Sequence, residues 1–172
     1  MNKFACSALL LLLSAQGMAA FNLDNRKPNA YVMENDKPWV EQEQALVPYP
    51  LQPQWLQLEM PVTIRPQIFV NTADLQLGPD QVIRFSLRQA SKSGVENISR
   101  EGLLCEQRSY RSYAFGDPVN KRWISSQNSQ WRKLDVSDLL RRELVTILCP
   151  QGWTPATAAE VITNLQRAGK AQ

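Results

Sequence analysis

The hydrophobic pattern of this chain changes its period once, and that change constrains the fold more than any other feature. Ile83, Phe85 and Leu87 alternate with mostly polar residues, which is typical of an antiparallel strand with one solvated face. Near the end of the chain, apolar residues recur at helical spacing instead, at Val136, Leu140, Leu144 and Ile147. Strands followed by helices predict an α+β fold.

We expect an antiparallel sheet of about four to five strands followed by two C-terminal helices. The strand candidates are residues 62–70, 81–88, 95–105 and 110–115. Pro66 interrupts the first of them, which predicts an edge strand or a bent strand. The first helix should end before Pro150, and Thr154 should cap the second, with Pro155 at its first position.

An extended, proline-rich arm is predicted over residues 20–55, ahead of a single α+β domain of residues 56–169. Proline stands at positions 28, 38, 48, 50 and 53, and each one removes a backbone donor and disfavours helix. The second half of the arm also carries apolar and aromatic residues, among them Trp39 and Tyr49. We expect these to pack on the domain; a surface for a partner is the alternative.

The N-terminal residues 1–19 are typical of a secretory signal peptide. Lys3 supplies a positive start, Leu9–Leu13 is an unbroken apolar run, and small residues precede a cleavage position after Ala19 or Ala20. The apolar run is much shorter than the roughly 20 residues of a membrane-spanning helix. The sequence therefore predicts export to the periplasm, with no integral membrane segment in the mature chain.

Two cysteines, Cys105 and Cys149, remain once residues 1–19 and Cys6 are removed. In an oxidising compartment an even pair of this kind predicts a disulfide. The alternative, a redox or nucleophilic thiol, has less support because the chain has no Cys-x-x-Cys motif and no histidine to lower a thiol pKa.

The absence of histidine excludes several classes of chemistry. The 172-residue chain has a net charge of +3 and no histidine, so it holds no Ser-His-Asp triad, no Cys-His dyad and no histidine-ligated metal. The weak charge argues against nucleic-acid binding. No glycine-rich phosphate loop or metal-binding loop is present in the sequence. We therefore predict no catalytic residues, no cofactor and no metal.

A pair of oppositely charged residues is predicted on the hairpin that follows the first clear strand. A two-residue loop at Lys92-Ser93 places Arg84 opposite Glu101, and a loop at Ser93-Gly94 places Ser86 opposite Glu101 with Arg84 diagonal to it. In both registers the arginine and the glutamate share a face. The sequence therefore predicts an Arg84–Glu101 ion pair.

These residues suggest a candidate ligand site. Arg84, Arg88, Asn97 and Glu101 could bind a carboxylate, phosphate or sugar, with Arg84 as a bidentate donor. A structural ion pair on a half-exposed sheet is the alternative reading.

Hydrolysis of envelope glycans is a further alternative, because glycosidases need two carboxylates and no histidine. Glu96, Glu101 and Glu106 offer carboxylates, but the odd separation of Glu96 and Glu101 places them on opposite faces of a strand.

A set of short motifs occurs in a fixed order between about residues 39 and 165: Trp39-Val40-Glu41, Pro48-Tyr49-Pro50, Arg84-Phe85, Ser93-Gly94, Asn97, Glu101-Gly102, Cys105, Tyr113-Ala114-Phe115-Gly116, Trp131 and Cys149-Pro150. In these motifs the chain resembles the cryptic neisserial protein-like family, a group of uncharacterised exported proteins of Gram-negative bacteria, mainly beta-proteobacteria. The family pattern has Asp-Gly where this chain has Asp80-Gln81, and tyrosine where it has Phe85. The resemblance implies an envelope location and no known activity, substrate or cofactor.

Taken together, the sequence predicts a non-enzymatic exported protein that binds a partner protein or another envelope component. A small-ligand binding module that uses the polar sheet face is the second hypothesis, and the glycan hydrolase is the third. The sequence gives no indication of oligomeric state.

Overall fold

The computed structural model describes residues 38–169. The predicted signal peptide with its cleavage position, Cys6 and the first part of the predicted arm lie outside the described residues. Within the described part of the chain, no helix is long and apolar enough to span a membrane.

Within residues 38–169, one antiparallel sheet of seven strands forms the centre of the fold. Its strands are β1 (Trp55–Leu58), β2 (Gln67–Leu77), β3 (Val82–Ala90), β4 (Glu96–Leu104), β5 (Ser109–Asp117), β6 (Arg122–Ser125) and β7 (Arg132–Lys133). Strands β1 to β6 follow one another in space as they do in sequence, and β7 also pairs with β5. Two helices follow, α1 (Leu139–Leu148) and α2 (Ala158–Arg167).

An antiparallel sheet followed by two C-terminal helices is thus confirmed, but the sheet is larger than the predicted four to five strands. The additional strands are short, with 4 residues in β1, 4 in β6 and 2 in β7. Segments of this length show too few alternations to stand out from loops in a sequence.

Strand β2 differs most from the prediction. It begins at Gln67, directly after Pro66, so the proline removes no donor from the ladder. Val62 lies outside the strand and is 97% exposed. The prediction of an edge strand here was wrong, because β1 pairs with the outer side of β2.

In the turn before β3, Gln81 adopts a backbone conformation that favours glycine. The backbone N–H of Gln81 donates to the carbonyl of Gly78, and Gln81 has a φ of +65°. This is the left-handed region that glycine adopts without steric cost. The structure therefore has the backbone that the family's Asp-Gly would favour, although a glutamine occupies the position.

The hydrophobic core lies between one face of the sheet and the two helices. From the sheet it includes Phe85 and Leu87, and from the helices Leu144, Leu148 and Leu165. We call this side of the sheet the helix face. The opposite side, the arm face, is the one against which the arm segment 39–54 packs.

The second helix begins later than predicted. Thr157 caps α2 by accepting the backbone N–H of Glu160, so the prediction that Thr154 is the cap was wrong. Thr154 is instead buried in the preceding loop, where its hydroxyl donates to the carbonyl of Gln81. Glu106 accepts the backbone N–H of Thr154 at 2.8 Å. These contacts fix the position of the loop that precedes α2.

A disulfide joins Cys105 to Cys149, as the sequence predicts. Cys105 follows the last residue of β4 and Cys149 is the C-cap of α1. Both are buried, with 0% and 3% of their surface exposed. The bond therefore fastens the first helix to the middle of the sheet.

Removing this cross-link should lower the stability markedly. The Cys105→Ala/Cys149→Ala double variant frees a loop closed over a sequence separation of 44, for which the chain-entropy model gives about 4 kcal/mol. Urea unfolding should show this loss in the free energy of unfolding, and reduction of the wild type should reproduce it. An unchanged unfolding midpoint in both experiments would contradict the prediction.

Candidate functional site

The register of the central hairpin separates Arg84 from Glu101. Arg84 lies opposite Gly102, and Phe85 lies opposite Glu101. The predicted Arg84–Glu101 ion pair is therefore wrong, because the two side chains point to opposite faces of the sheet. The last pair of the ladder joins Ala90 to Glu96, which leaves a five-residue loop where the prediction placed two residues. A register that differs by one residue moves a side chain to the other face.

Arg84 is buried on the arm face and binds two carboxylates. Its guanidinium donates to both carboxylate oxygens of Asp80, at 3.1 and 2.6 Å, and to Oε1 of Glu41 at 3.0 Å. Burial alone would lower the pKa of Arg84, but hydrogen bonds and charge from Asp80 raise it above its ordinary value. The side chain is thus a fixed positive charge beneath the arm.

Glu41 is the arm residue that meets this charge. Its Oε1 accepts from Arg84 and from the hydroxyl of Tyr113, at 3.0 and 2.5 Å. Its Oε2 accepts from Arg111 and from Nε1 of Trp131, the latter at 2.8 Å. We call the four donor residues, Arg84, Arg111, Tyr113 and Trp131, the carboxylate socket.

The socket keeps Glu41 ionised. Burial would raise the pKa of Glu41, but hydrogen bonds from Tyr113, Trp131 and Arg111 outweigh burial and hold the pKa below its usual value. Asp80 behaves in the same way: burial raises its pKa, and the hydrogen bond from Arg84 is the main contribution that lowers it. Both carboxylates therefore stabilise the fold as anions.

Aromatic contacts hold the arm against the domain at two places, Trp39 and Tyr49. The ring of Trp39 meets the ring of Trp131 edge-on, with centroids 5.3 Å apart, and its Nε1 donates to the carbonyl of Asp80 at 2.8 Å. Tyr49 packs against Trp123 with centroids 5.1 Å apart. These contacts confirm that aromatic residues of the arm pack on the domain.

A cavity of about 270 Å³ lies between the arm and the sheet. The sheet contributes Arg84, Arg100, Arg111 and Tyr113, and the arm contributes residues 44–47. Glutamine and serine side chains supply the rest of the polar lining. The lining residues include three arginines and no acidic residue, and each of the three guanidinium groups also contacts a carboxylate that is not part of the lining.

A second buried arginine stands beside the first. Arg100 is 2% exposed, and one of its Nη atoms donates to both the carbonyl and the carboxylate of Asp74, each at 3.0 Å. Its other Nη atom donates to Gln76 at 3.0 Å. The bulge of β2 between Asn71 and Gln76 brings Asp74 into this position. Burial lowers the pKa of Arg100, and Asp74 opposes that shift.

The four residues predicted as a ligand site divide between the two faces. Arg88 is on the arm face, where its guanidinium lies over the ring of Phe69, 4.0 Å from the centroid, and contacts Glu96 at 3.3 Å. Asn97 is exposed and lies opposite Gln89. Glu101 is buried on the helix face. Arg84 and Arg88 share the arm face, whereas Asn97 and Glu101 lie on the opposite side of the sheet. Ligand binding by any of the four stays a prediction.

Glu101 joins the sheet to the first helix. Arg141 donates from Nε and Nη2 to the two oxygens of Glu101, at 2.9 and 2.8 Å, and Ser99 donates its hydroxyl at 2.8 Å. The same guanidinium lies 4.2 Å from the ring centroid of Tyr110. Each oxygen is bound within the fold, so the structure favours the structural reading of this carboxylate.

The carboxylates considered for hydrolysis do not converge. Glu96 lies on the arm face and Glu101 on the helix face, while Glu106 binds the backbone and hydroxyl of Thr154. In the described residues, no cluster of three or more acidic or cysteine side chains is arranged to hold a metal ion.

Comparison with known proteins places the chain among relatives. A sequence model described as the CNP1-like family matches residues 34–166. "Cryptic neisserial protein 1" of Neisseria gonorrhoeae is 31% identical to this chain over an alignment of 121 residues; the match covers 62% of this chain and 59% of that relative. The chain thus spans less than two thirds of the relative's length. No solved structure matches the chain.

The Glu41→Gln substitution should destabilise the protein at neutral pH and much less in acid. It replaces a charged acceptor in the socket with a neutral one, which should cost about 1–3 kcal/mol at pH 7. The pKa of Glu41 is lowered in the folded state. The contribution of Glu41 to the free energy of unfolding is therefore fully present at pH values above its usual pKa, and it is lost as the pH falls through its pKa in the folded protein. Denaturant unfolding between neutral pH and about pH 3 measures the difference.

Glu43→Gln is the matched control, since Glu43 is exposed on the same arm. Its effect should stay within about 0.5 kcal/mol at both pH values. Equal stability of the two variants at neutral pH, or a gap for Glu41→Gln that does not shrink in acid, would show that Glu41 does not act as a bound anion.

Proposed function

The chain belongs to the CNP1-like family, and we propose that it is a non-enzymatic binding domain of the Gram-negative cell envelope. In this proposal the arm face holds an anionic ligand. The ligand site is the cavity between the arm and the sheet, next to the carboxylate socket.

The charge of the cavity walls carries this proposal. Arg84, Arg100 and Arg111 line the cavity together with Tyr113, and no lining residue is acidic. Arginine presents several donors in a planar fork that matches carboxylate and phosphate oxygens. A volume of about 270 Å³ is close to the lower limit for small-molecule sites. A small dicarboxylate, a sugar acid or a single acidic side chain fits that size and charge.

The environment of the buried carboxylates supports a binding role over a catalytic one. The general acid of a glycoside hydrolase needs a raised pKa, whereas the pKa values of Glu41 and Asp80 are lowered. Glu101 is held by Arg141 on the other face of the sheet. The sequence also has no histidine to act as a base near neutral pH. None of these placements favours the hydrolase hypothesis.

An exported location is part of the proposal. Residues 1–19 have the charge, apolar run and small residues of a signal peptide. The Cys105–Cys149 disulfide fits an oxidising compartment such as the periplasm.

Fractionation of Gram-negative cells that express the full chain tests the location. The protein should be recovered from the periplasm with both cysteines unreactive to a thiol reagent. A variant without residues 2–19 should stay in the cytoplasm, where Cys105 and Cys149 should react. Recovery of the full chain from the cytoplasm would contradict the proposal.

Thermal unfolding with small anions tests the binding site. The Tm is measured with phosphate, succinate or glucuronate, and with neutral glucose at the same ionic strength. We expect at least one of the three anions to raise the Tm above its value with glucose. A ligand at about 100 times its Kd adds roughly 2.7 kcal/mol of stability. Arg111→Gln should abolish the gain because Arg111 lines the cavity.

Arg167→Gln is the control for the anion experiment, because Arg167 is exposed on α2. This variant should keep the full gain in Tm. A wild type that responds to no anion more than to glucose, or an equal loss in both variants, would contradict the proposed site.

A further inference from the structure

The arm is attached to the sheet in the way that a bound peptide is attached. Residues 38–53 belong to no helix or strand, and they make no backbone–backbone hydrogen bond to any other residue that the structure describes. Side chains provide the anchors instead, chiefly Trp39, Glu41 and Tyr49. A segment held this way can be replaced by a second segment with the same anchors, because no strand pairing has to be broken.

The socket matches a carboxylate in the number and placement of its donors. Arg84 and Tyr113 donate to one oxygen of Glu41, and Arg111 and Trp131 donate to the other. A carboxylate has about four lone-pair sites, so these four donors satisfy it completely. All four donor residues come from the strands of the sheet or from the residue directly before β7, and all four donate from planar groups, which favours a flat acceptor.

A second contact lies two residues before the carboxylate. Trp39 packs edge-on against Trp131, and its Nε1 reaches the carbonyl of Asp80. In an extended chain, side chains two positions apart point to the same side. The surface therefore contacts an indole and a carboxylate that stand two positions apart in the same irregular segment.

We propose that the carboxylate socket, together with the Trp131 ring and the Asp80 carbonyl, is a recognition site for an extended acidic segment of a partner protein. The recognised segment carries a glutamate two residues after a tryptophan, and residues 39–41 of the arm are the internal occupant that it replaces. This inference rests on the proposed function in that both place the ligand on the arm face, but it assigns the partner and uses the socket rather than the cavity.

Fluorescence anisotropy with a labelled peptide tests the site on the full chain. The peptide has the sequence of residues 38–47. It should bind the Glu41→Gln and Trp39→Ala variants about tenfold more tightly than the wild type, the factor expected when an internal occupant leaves about a tenth of the sites open. Glu43→Gln, whose arm keeps both anchors, should bind like the wild type.

Two altered peptides test the chemistry of recognition. A peptide with glutamine in place of Glu41 should bind every form of the protein about tenfold more weakly, as loss of one charge-assisted contact implies. A peptide with glutamine in place of Glu43 should bind like the original. Because the wild type itself should discriminate between these peptides, the test stands even where an arm variant fails to fold.

The outcomes separate this inference from the proposed function. Equal binding of the original and the Glu41-to-glutamine peptide, or no binding of either, would overturn the inference. Small anions that raise the Tm through Arg111 would in that case leave the anion site standing. If the peptides do not bind selectively and no anion raises the Tm, both this inference and the proposed anion site are overturned.

Discussion

The buried guanidinium of Arg84 is the interaction on which the arm face depends. A charge removed from water is tolerated only when partners and hydrogen bonds replace its hydration. Asp80, from the turn before β3, supplies one partner, and Glu41, 43 positions earlier in the chain, supplies the other. The same Asp80 carboxylate accepts the backbone N–H of Gln42. One buried charge thereby fixes the turn, the strand and the arm relative to one another.

The helix face also holds a buried charge with a partner, but there the charge on the sheet is negative. It is the carboxylate of Glu101, which forms an ion pair with Arg141 of α1. On the arm face, Arg100 forms an ion pair with Asp74 from the β2 bulge. In each case a charged residue of the central strands is neutralised by an element outside them. The centre of the sheet therefore holds its coverings by charge as well as by apolar packing, and each covering has a defined position.

The sequence was sufficient for those parts of the fold that depend on local pattern. Alternation over 81–88, the helical spacing from Leu140 to Ile147 and the pair Cys105 and Cys149 lead to the strands, helices and disulfide that are observed. Val136, the first residue of the predicted helical stripe, lies before α1 and is 77% exposed. The register of β3 and β4 could not be predicted from the sequence. The loop between them has the five residues 91–95 instead of two, and this odd difference in length moves the side chains of β4 to the opposite face from the one expected.

The partners of Arg84 were equally hard to predict. Nothing local to Glu41 indicates that it contacts β3 and β5, since that contact depends on the path of an irregular segment. A partial signal existed: Trp39-Val40-Glu41, Tyr113 and Trp131 all belong to the resemblance to the family. These positions lie together around the socket. The resemblance to the family therefore included residues of the site that strand-pairing considerations did not indicate.

The charges around the cavity link the two proposed events on the arm face. Arg84, Arg100 and Arg111 are balanced there by Asp80, Asp74 and Glu41, and only the last of these carboxylates belongs to the arm. Lifting the arm removes one negative charge and leaves Arg111 without the carboxylate it contacts. In the two proposals, loss of that carboxylate strengthens the attraction of an anion for Arg111, whereas displacement of residues 44–47 removes one wall of the cavity. Because such coupling is reciprocal, an anion near Arg111 and a carboxylate in the socket change each other's affinity by the same factor.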